Sequence, residues 1–73
     1  MAPEAVLMFG EYIKQCRIKA GLTQKQLGIL CGYDEPSADR VVQFWEHDVR
    51  QVPLDKIRIL AKILNIPIES LIP

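Results

Sequence analysis

Residues 22–46 read LTQKQLGILCGYDEPSADRVVQFWE, and this stretch decides the fold because it carries the start and stop signals of two helices. Thr23 and Gln26 form a capping box, in which the Thr23 hydroxyl accepts from the backbone N–H of Gln26 and the Gln26 amide reaches back to that of Thr23. The first helix is therefore predicted to begin at Thr23, with Leu27, Leu30 and Cys31 on one apolar face. Gly32 follows and can adopt the left-handed conformation that ends helices.

The second helix is predicted to follow this glycine and to end near Glu46. Its apolar side chains share one face at helical spacing: Ala38, Val41, Val42 and Trp45. Arg40 and Gln43 then point most nearly outward. Two helices around a glycine turn have the layout of a helix-turn-helix unit, whose second helix enters the major groove of DNA. The outward face is therefore the predicted DNA-reading surface.

A wider set of residues carries a resemblance to a known family. These residues are Ile13, Arg17, Gly21, Leu22, Thr23, Gln24, Leu27, Gly32, Val42, Gln43, Trp45, Glu46, Ala61 and Leu64. With GLTQ at 21–24 and Trp-Glu at 45–46, the chain resembles the lambda-repressor-like family of helix-turn-helix regulators, the Cro and phage-repressor (XRE) type. The resemblance covers roughly residues 9–71. It implies an all-α class and a compact five-helix DNA-binding domain in which helices 2 and 3 form the helix-turn-helix.

The resemblance also implies roles for particular side chains. The glutamine of the TQ pair, Gln24, is expected to contact the DNA backbone or a base edge. Arg17 is expected to pair with Glu46 and so to clamp helix 1 to the reading helix. Lys25 lies in the same first turn as Gln24, where free N–H groups and the helix dipole favour a phosphate. A solvated polar turn is the alternative for both side chains.

The predicted base contacts follow from side-chain chemistry. Arginine bonds bidentately to guanine and glutamine to adenine, which suits Arg40 and Gln43, and the Phe44 ring can touch a thymine methyl. Phe44 can instead pack beneath the following loop or at a dimer contact. Arg50 is either a phosphate contact or a solvated side chain. The full set predicted to contact DNA is Thr23, Gln24, Lys25, Ser37, Asp39, Arg40, Gln43, Phe44 and Arg50.

One segment departs from the family pattern. The motif usually places its aliphatic residue six positions after the glycine, whereas here the gap from Gly32 is ten, so residues 34–37 are in effect an insertion. Four residues are close to one helical turn. Either the reading helix is lengthened, with Asp34 as N-cap and Pro36 in its first turn, or a longer turn precedes a helix capped by Ser37. In both geometries the helix starts with acidic residues, which suits its dipole but repels a phosphate.

The remaining helices are predicted from apolar periodicity. Helix 1 is expected to have Pro3 in its first turn and to stop at Gly21. Its apolar stripe is Val6, Phe9, Ile13, Cys16 and Ala20. Gly10 is expected to weaken this helix. Gly28 is expected to let the two helices of the motif pack closely, at a place where the family usually has alanine.

The C-terminal part is predicted to form a helix over about residues 53–64, ended by Asn65, and a last short helix over about residues 67–72. The loop between Trp45-Glu46 and Pro53 lacks the glycine usual in the family. The tail is more apolar than a small core is expected to absorb. Core packing is the interpretation for two or three of its residues and a two-fold dimer contact for the remainder, drawn from Ile66, Ile68, Leu71 and Ile72.

Composition bounds the function. The 73 residues, 49% hydrophobic and 25% charged, fit one domain spanning 1–73, with the helix-turn-helix at about 23–46. Nine basic and nine acidic residues cancel, which is unfavourable for a nucleic-acid binder. The two cysteines lack metal-site spacing and are expected to be buried reduced thiols, with a disulfide or redox switch as the alternative. We expect no metal, cofactor or small-molecule ligand, no membrane segment, and no catalysis, because no nucleophile lies with a base.

Two functions compete. The first is a sequence-specific double-stranded DNA-binding regulator of bacterial or phage origin, located with the nucleoid in the cytoplasm. It is expected to be a repressor that acts as a homodimer on a palindromic operator. The second is a protein-interaction module of the same fold, such as an antitoxin or adaptor partner, with weak or no DNA binding. Zero net charge and the acidic insertion favour the second.

Overall fold

The computed structural model describes residues 9–71, and over this range the chain forms four α-helices and a 3-10 turn, with no strand. The elements are α1 (Phe9–Lys19), α2 (Gln24–Leu30), α3 (Glu35–Glu46), α4 (Leu54–Leu64) and a 3-10 helix at Ile68–Leu71. The all-α class is confirmed. The five-helix count is not borne out: the last short helix predicted at about residues 67–72 is a single 3-10 turn, in which the Ser70 N–H donates to the Pro67 carbonyl at 3.0 Å.

The local signals that frame α2 are confirmed. The Thr23 hydroxyl accepts from the Gln26 N–H at 3.0 Å, and the Gln26 side-chain oxygen accepts from the Thr23 N–H at 2.8 Å. Gly32 adopts φ +103°, and the Tyr33 N–H after it donates back to the Gly28 carbonyl at 3.0 Å. The capping box and the left-handed glycine therefore fix both ends of this short helix.

The insertion lengthens α3 at its N-terminus. The helix begins at Glu35, with Asp34 as the extended N-cap residue and Pro36 in the first turn. The Asp34 side chain makes no capping hydrogen bond. The alternative geometry, in which Ser37 caps a later start, is wrong: the Ser37 N–H already donates to the Asp34 carbonyl at 3.1 Å, within the first turn.

One apolar core joins all four α-helices and the C-terminal turn. Its most completely buried side chains are Ile13, Leu27, Cys31, Val42, Leu60 and Leu71. Leu71 is 1% exposed and therefore belongs to the core, while Ile66 and Ile68 are half-buried against it. Three apolar residues of the tail thus pack on the core, in agreement with the interpretation that two or three of them do so. Ala20 is exposed beyond the end of α1, so its place in the predicted stripe is wrong. The place of Leu30 on the apolar face of α2 is also wrong, because it is 54% exposed.

Two glycines lie where helices cross with their backbones in contact. A Cβ on Gly28 would lie 2.6 Å from the Ala38 carbonyl carbon of α3, so even alanine does not fit there. A Cβ on Gly10 would lie 2.6 Å from the Glu46 carbonyl carbon, where α1 meets the end of α3. Gly10 is therefore a packing requirement between helices. The predictions for Pro3, Val6 and Ile72 fall outside residues 9–71.

The loop from α3 to α4 contains an aspartate in the left-handed region of backbone conformation. Asp48 has φ +58°, and its Oδ1 accepts from the Gly10 N–H at 3.0 Å. Aspartate is among the few residues other than glycine that adopt this conformation readily. The side chain thus ties the loop to α1. Asn65, also left-handed at φ +57°, ends α4 as predicted.

Candidate nucleic-acid interface

A buried carboxylate at the end of α3 connects the first three helices. Glu46 Oε2 accepts from Arg17 Nε at 2.6 Å, and the exposed fractions of the Arg17 and Glu46 side chains are 11% and 2%. Arg17 Nη2 lies 3.4 Å from Glu46 Oε1, and Nη1 donates to the Leu22 carbonyl at 2.8 Å. The structure therefore brings together the two residues that the resemblance paired, and fixes α1 against the end of α3.

Gln24 is held by the same carboxylate, a contact that the sequence did not predict. Its Nε2 donates to Glu46 Oε1 at 3.0 Å. An ionised carboxylate can only accept hydrogen bonds, so the Gln24 amide nitrogen must face Glu46. One donor of this amide is therefore already committed within the protein.

Lys25, the predicted phosphate contact, forms an ion pair with the inserted segment. Its Nζ lies 2.6 Å from Glu35 Oε2, and the two side chains are 50% and 68% exposed. The hydrogen bond from Lys25 to Glu35 and the negative charge of Glu35 raise the pKa of Lys25, and the negative charge of Asp39 raises it further. The same hydrogen bond and the positive charge of Lys25 lower the pKa of Glu35. Two carboxylates of α3 therefore lie around the lysine at the first turn of α2.

The outward face of α3 is available for contact. Arg40, Gln43, Asp39 and Ser37 are exposed, whereas Ala38, Val42, Trp45 and Glu46 face inward. The predicted outward positions and the buried face agree with this placement. Because α3 is tied to α1 and α2 at Glu46, the exposed side chains project from a braced helix.

Phe44 and Arg50 form one unit at the end of α3. Arg50 Cζ lies 5.2 Å from the centroid of the Phe44 ring, which is half-buried. The Val49 N–H donates to the Phe44 carbonyl at 2.9 Å, so the loop folds back over this turn. Phe44 thus packs beneath the following loop, one of the two alternatives to a thymine contact. The exposed Arg50 guanidinium has a cation–π partner that holds it beside the reading face.

The predicted DNA-contacting residues therefore fall into three groups. Thr23, Gln24 and Lys25 lie at the start of α2, with Gln24 and Lys25 bonded to carboxylates of α3. Ser37, Asp39, Arg40 and Gln43 are exposed on α3, and Phe44 with Arg50 lies at its end. Sequence reasoning missed the contacts of Gln24 with Glu46 and of Lys25 with Glu35, since a linear pattern does not give the angle at which helices cross.

The two cysteines and the aromatic pair Tyr33 and Trp45 contact other side chains of the protein. Cys31 and Cys16 are free, and burial raises the pKa of the Cys31 thiol to about 11. The Tyr33 ring packs edge-on against Trp45 with centroids 5.9 Å apart, and Lys56 Nζ lies 5.0 Å from the Tyr33 ring centroid. Residues 9–71 contain no cluster of three side chains able to hold a metal ion.

Comparison with models of protein families gave a match. A model of a helix-turn-helix family matches residues 13–71, which is most of the 73-residue chain. Neither the comparison with curated proteins nor that with solved structures found a match. Within the described residues, no helix is long and apolar enough to cross a membrane.

Proposed function

Because the chain belongs to the lambda-repressor-like helix-turn-helix family, the Cro and phage-repressor (XRE) type, we propose that this DNA-binding regulatory domain is a sequence-specific transcriptional regulator. In the proposed complex α3 enters the major groove of double-stranded DNA, while the start of α2 lies at the backbone. The family is one of regulatory domains and not of enzymes. Its place of action is then the cytoplasmic nucleoid of a bacterium or of a phage-infected cell.

The observation that supports this proposal is that hydrogen bonds to α1 and α2 hold α3 in a fixed position. The buried Glu46 joins α3 to Arg17 of α1 and Gln24 of α2, while Arg40 and Gln43 of α3 remain exposed. Base readout requires side chains held at a fixed angle to the groove, because a bidentate bond tolerates little displacement. Arg40 then reads guanine and Gln43 reads adenine.

The proposed regulator acts as a homodimeric repressor. Two copies related by a two-fold axis would read palindromic half-sites about 34–36 Å apart. Leu71 cannot form the predicted dimer contact, because it is buried within the monomer. Among the described tail residues, the half-buried Ile66 and Ile68 supply the remaining apolar surface. Sedimentation with and without operator DNA tests this part. A mass that stays monomeric on DNA contradicts it.

The test of sequence reading is a selection on random duplex DNA, followed by Arg40→Ala on the enriched site. Loss of a bidentate arginine is expected to cost about 1–3 kcal/mol and to relax preference at one base pair. Arg58→Ala is the matched control, because Arg58 is an exposed arginine on α4 and carries the same charge. The proposal fails if selection enriches no sequence, or if Arg40→Ala keeps the original base preferences.

A protein-interaction module remains the second candidate, and a specific observation favours it. Both Gln24 and Lys25, the polar side chains at the start of α2, donate to carboxylates of α3. An acidic surface at Glu35 and Asp39 suits a basic protein segment better than a phosphate. Absence of any enriched DNA sequence, together with binding of a basic peptide that Glu35→Gln weakens, would favour this function.

A further inference from the structure

Lys25, the cation that would bind a DNA phosphate, is already paired with the Glu35 carboxylate. Lys25 Nζ and Glu35 Oε2 are 2.6 Å apart, slightly closer than the roughly 2.7–2.9 Å usual for a charge-assisted N–H···O hydrogen bond. Glu35 belongs to the turn by which the insertion lengthens α3. The pair thus arises from the four-residue insertion at residues 34–37, a segment in which this chain departs from the family pattern.

We propose that Glu35 is an internal competitor of DNA phosphate for Lys25, and that it lowers the affinity of the domain for every duplex that α3 does not match. This inference rests on the proposed DNA-binding function and assigns to Glu35 the role of lowering the affinity for unmatched DNA. A phosphate must displace the Glu35 carboxylate before Lys25 can bind it.

The exposure of the pair makes this exchange possible. Both side chains are at least half exposed, so their interaction is screened by solvent and can open at little cost. A buried pair, such as Arg17 with Glu46, would not open. Asp39 contributes a second negative charge near Lys25, so Lys25 stays in an acidic environment when the pair opens.

The consequence concerns unmatched DNA most strongly. Binding to unmatched duplexes comes almost wholly from phosphate contacts, whereas matched sites add base contacts. Loss of one phosphate contact weakens binding to both kinds of site by about the same factor, but it removes a larger share of the binding free energy for unmatched DNA. A matched site retains occupancy through the exposed Arg40 and Gln43.

The test is a double-mutant cycle measured on an unmatched short duplex over a series of salt concentrations. Glu35→Gln is expected to raise affinity about two- to fivefold, because exposed ion pairs have about that strength, and to steepen the salt slope by up to about 0.9. Lys25→Ala should cost little in the native background and should abolish the gain in the Glu35→Gln background. Non-additivity of the two changes is the signature of competition.

Glu69→Gln is the matched control. It makes the same chemical and charge change at an exposed site on the 3-10 turn, so it measures the effect of net charge alone. If Glu35→Gln and Glu69→Gln bind equally, or if Lys25→Ala costs the same in both backgrounds, the competitor role is wrong. If either of these results is found and selection on random DNA still enriches an operator, only the competitor role fails and the DNA-binding function stands. If no variant binds any duplex at low salt, the function and the competitor role both fail.

Discussion

Replacing Glu46 with glutamine tests the brace that holds the reading helix. The substitution keeps the shape of the side chain but removes a charge that is 2% exposed and accepts from Arg17 at 2.6 Å and from Gln24 at 3.0 Å. Breaking a buried pair typically costs about 3–5 kcal/mol. We expect the low end, about 3 kcal/mol, because Arg17 is 11% exposed and keeps its bond to the Leu22 carbonyl. A domain of this size has a total stability of about 4–11 kcal/mol, so the loss is a large fraction of it.

Urea unfolding is the assay, because the free energy of unfolding falls linearly with denaturant. Glu69→Gln, an exposed change of the same kind, should alter stability by no more than about 0.5 kcal/mol. The double variant Arg17→Ala with Glu46→Gln should cost less than the sum of the two single changes, since the second removes a partner already lost. A loss below about 1 kcal/mol for Glu46→Gln would be that of an exposed pair and would refute the reasoning.

Three further predictions address packing and titration. Gly28→Ala should destabilise by about 1–2 kcal/mol in urea melts despite the better helix propensity of alanine, because the new Cβ overlaps the Ala38 carbonyl; a gain in stability would contradict the close approach. Lys25 lowers the pKa of Glu35, so the ion pair should be formed at neutral pH and lost as the pH falls through that lowered pKa. In Lys25→Ala, an NMR titration of the Glu35 carboxyl should show that its pKa is no longer lowered. Cys31, 1% exposed and with its pKa raised to about 11, should resist alkylation near neutral pH until the protein unfolds, and rapid labelling of the folded protein would contradict its burial.

The helix limits could be predicted where the signals are local. The Thr23 capping box, the left-handed Gly32 and the left-handed Asn65 each lie within a few residues of the end that they fix. The start of α3 was ambiguous because Asp34 and Ser37 are both good N-cap residues. The structure selects Asp34, and the extra turn that follows carries Glu35 to Lys25.

Contacts between helices could not be predicted from the residues alone. The pairing of Arg17 with Glu46 was implied by resemblance, but the bond from Gln24 to the same carboxylate depends on how α2 crosses α3. Gly10 is unfavourable within a helix and is explained only by the carbonyl of Glu46 above it. Apolar composition likewise did not show that Leu71 fills the core.

The distribution of charge determines how the proposed contact must obtain its affinity. Glu35, Asp39 and Glu46 lie along α3, and the structure places Lys25 and Gln24 of α2 against them. The start of α2 therefore offers a phosphate fewer free donors than its sequence predicts. A binder with few phosphate contacts has a shallow salt dependence and a low affinity for unmatched DNA. Binding then depends on base contacts from the exposed face of α3, so loss of a single base-reading arginine should affect operator occupancy more than loss of a phosphate-contacting lysine.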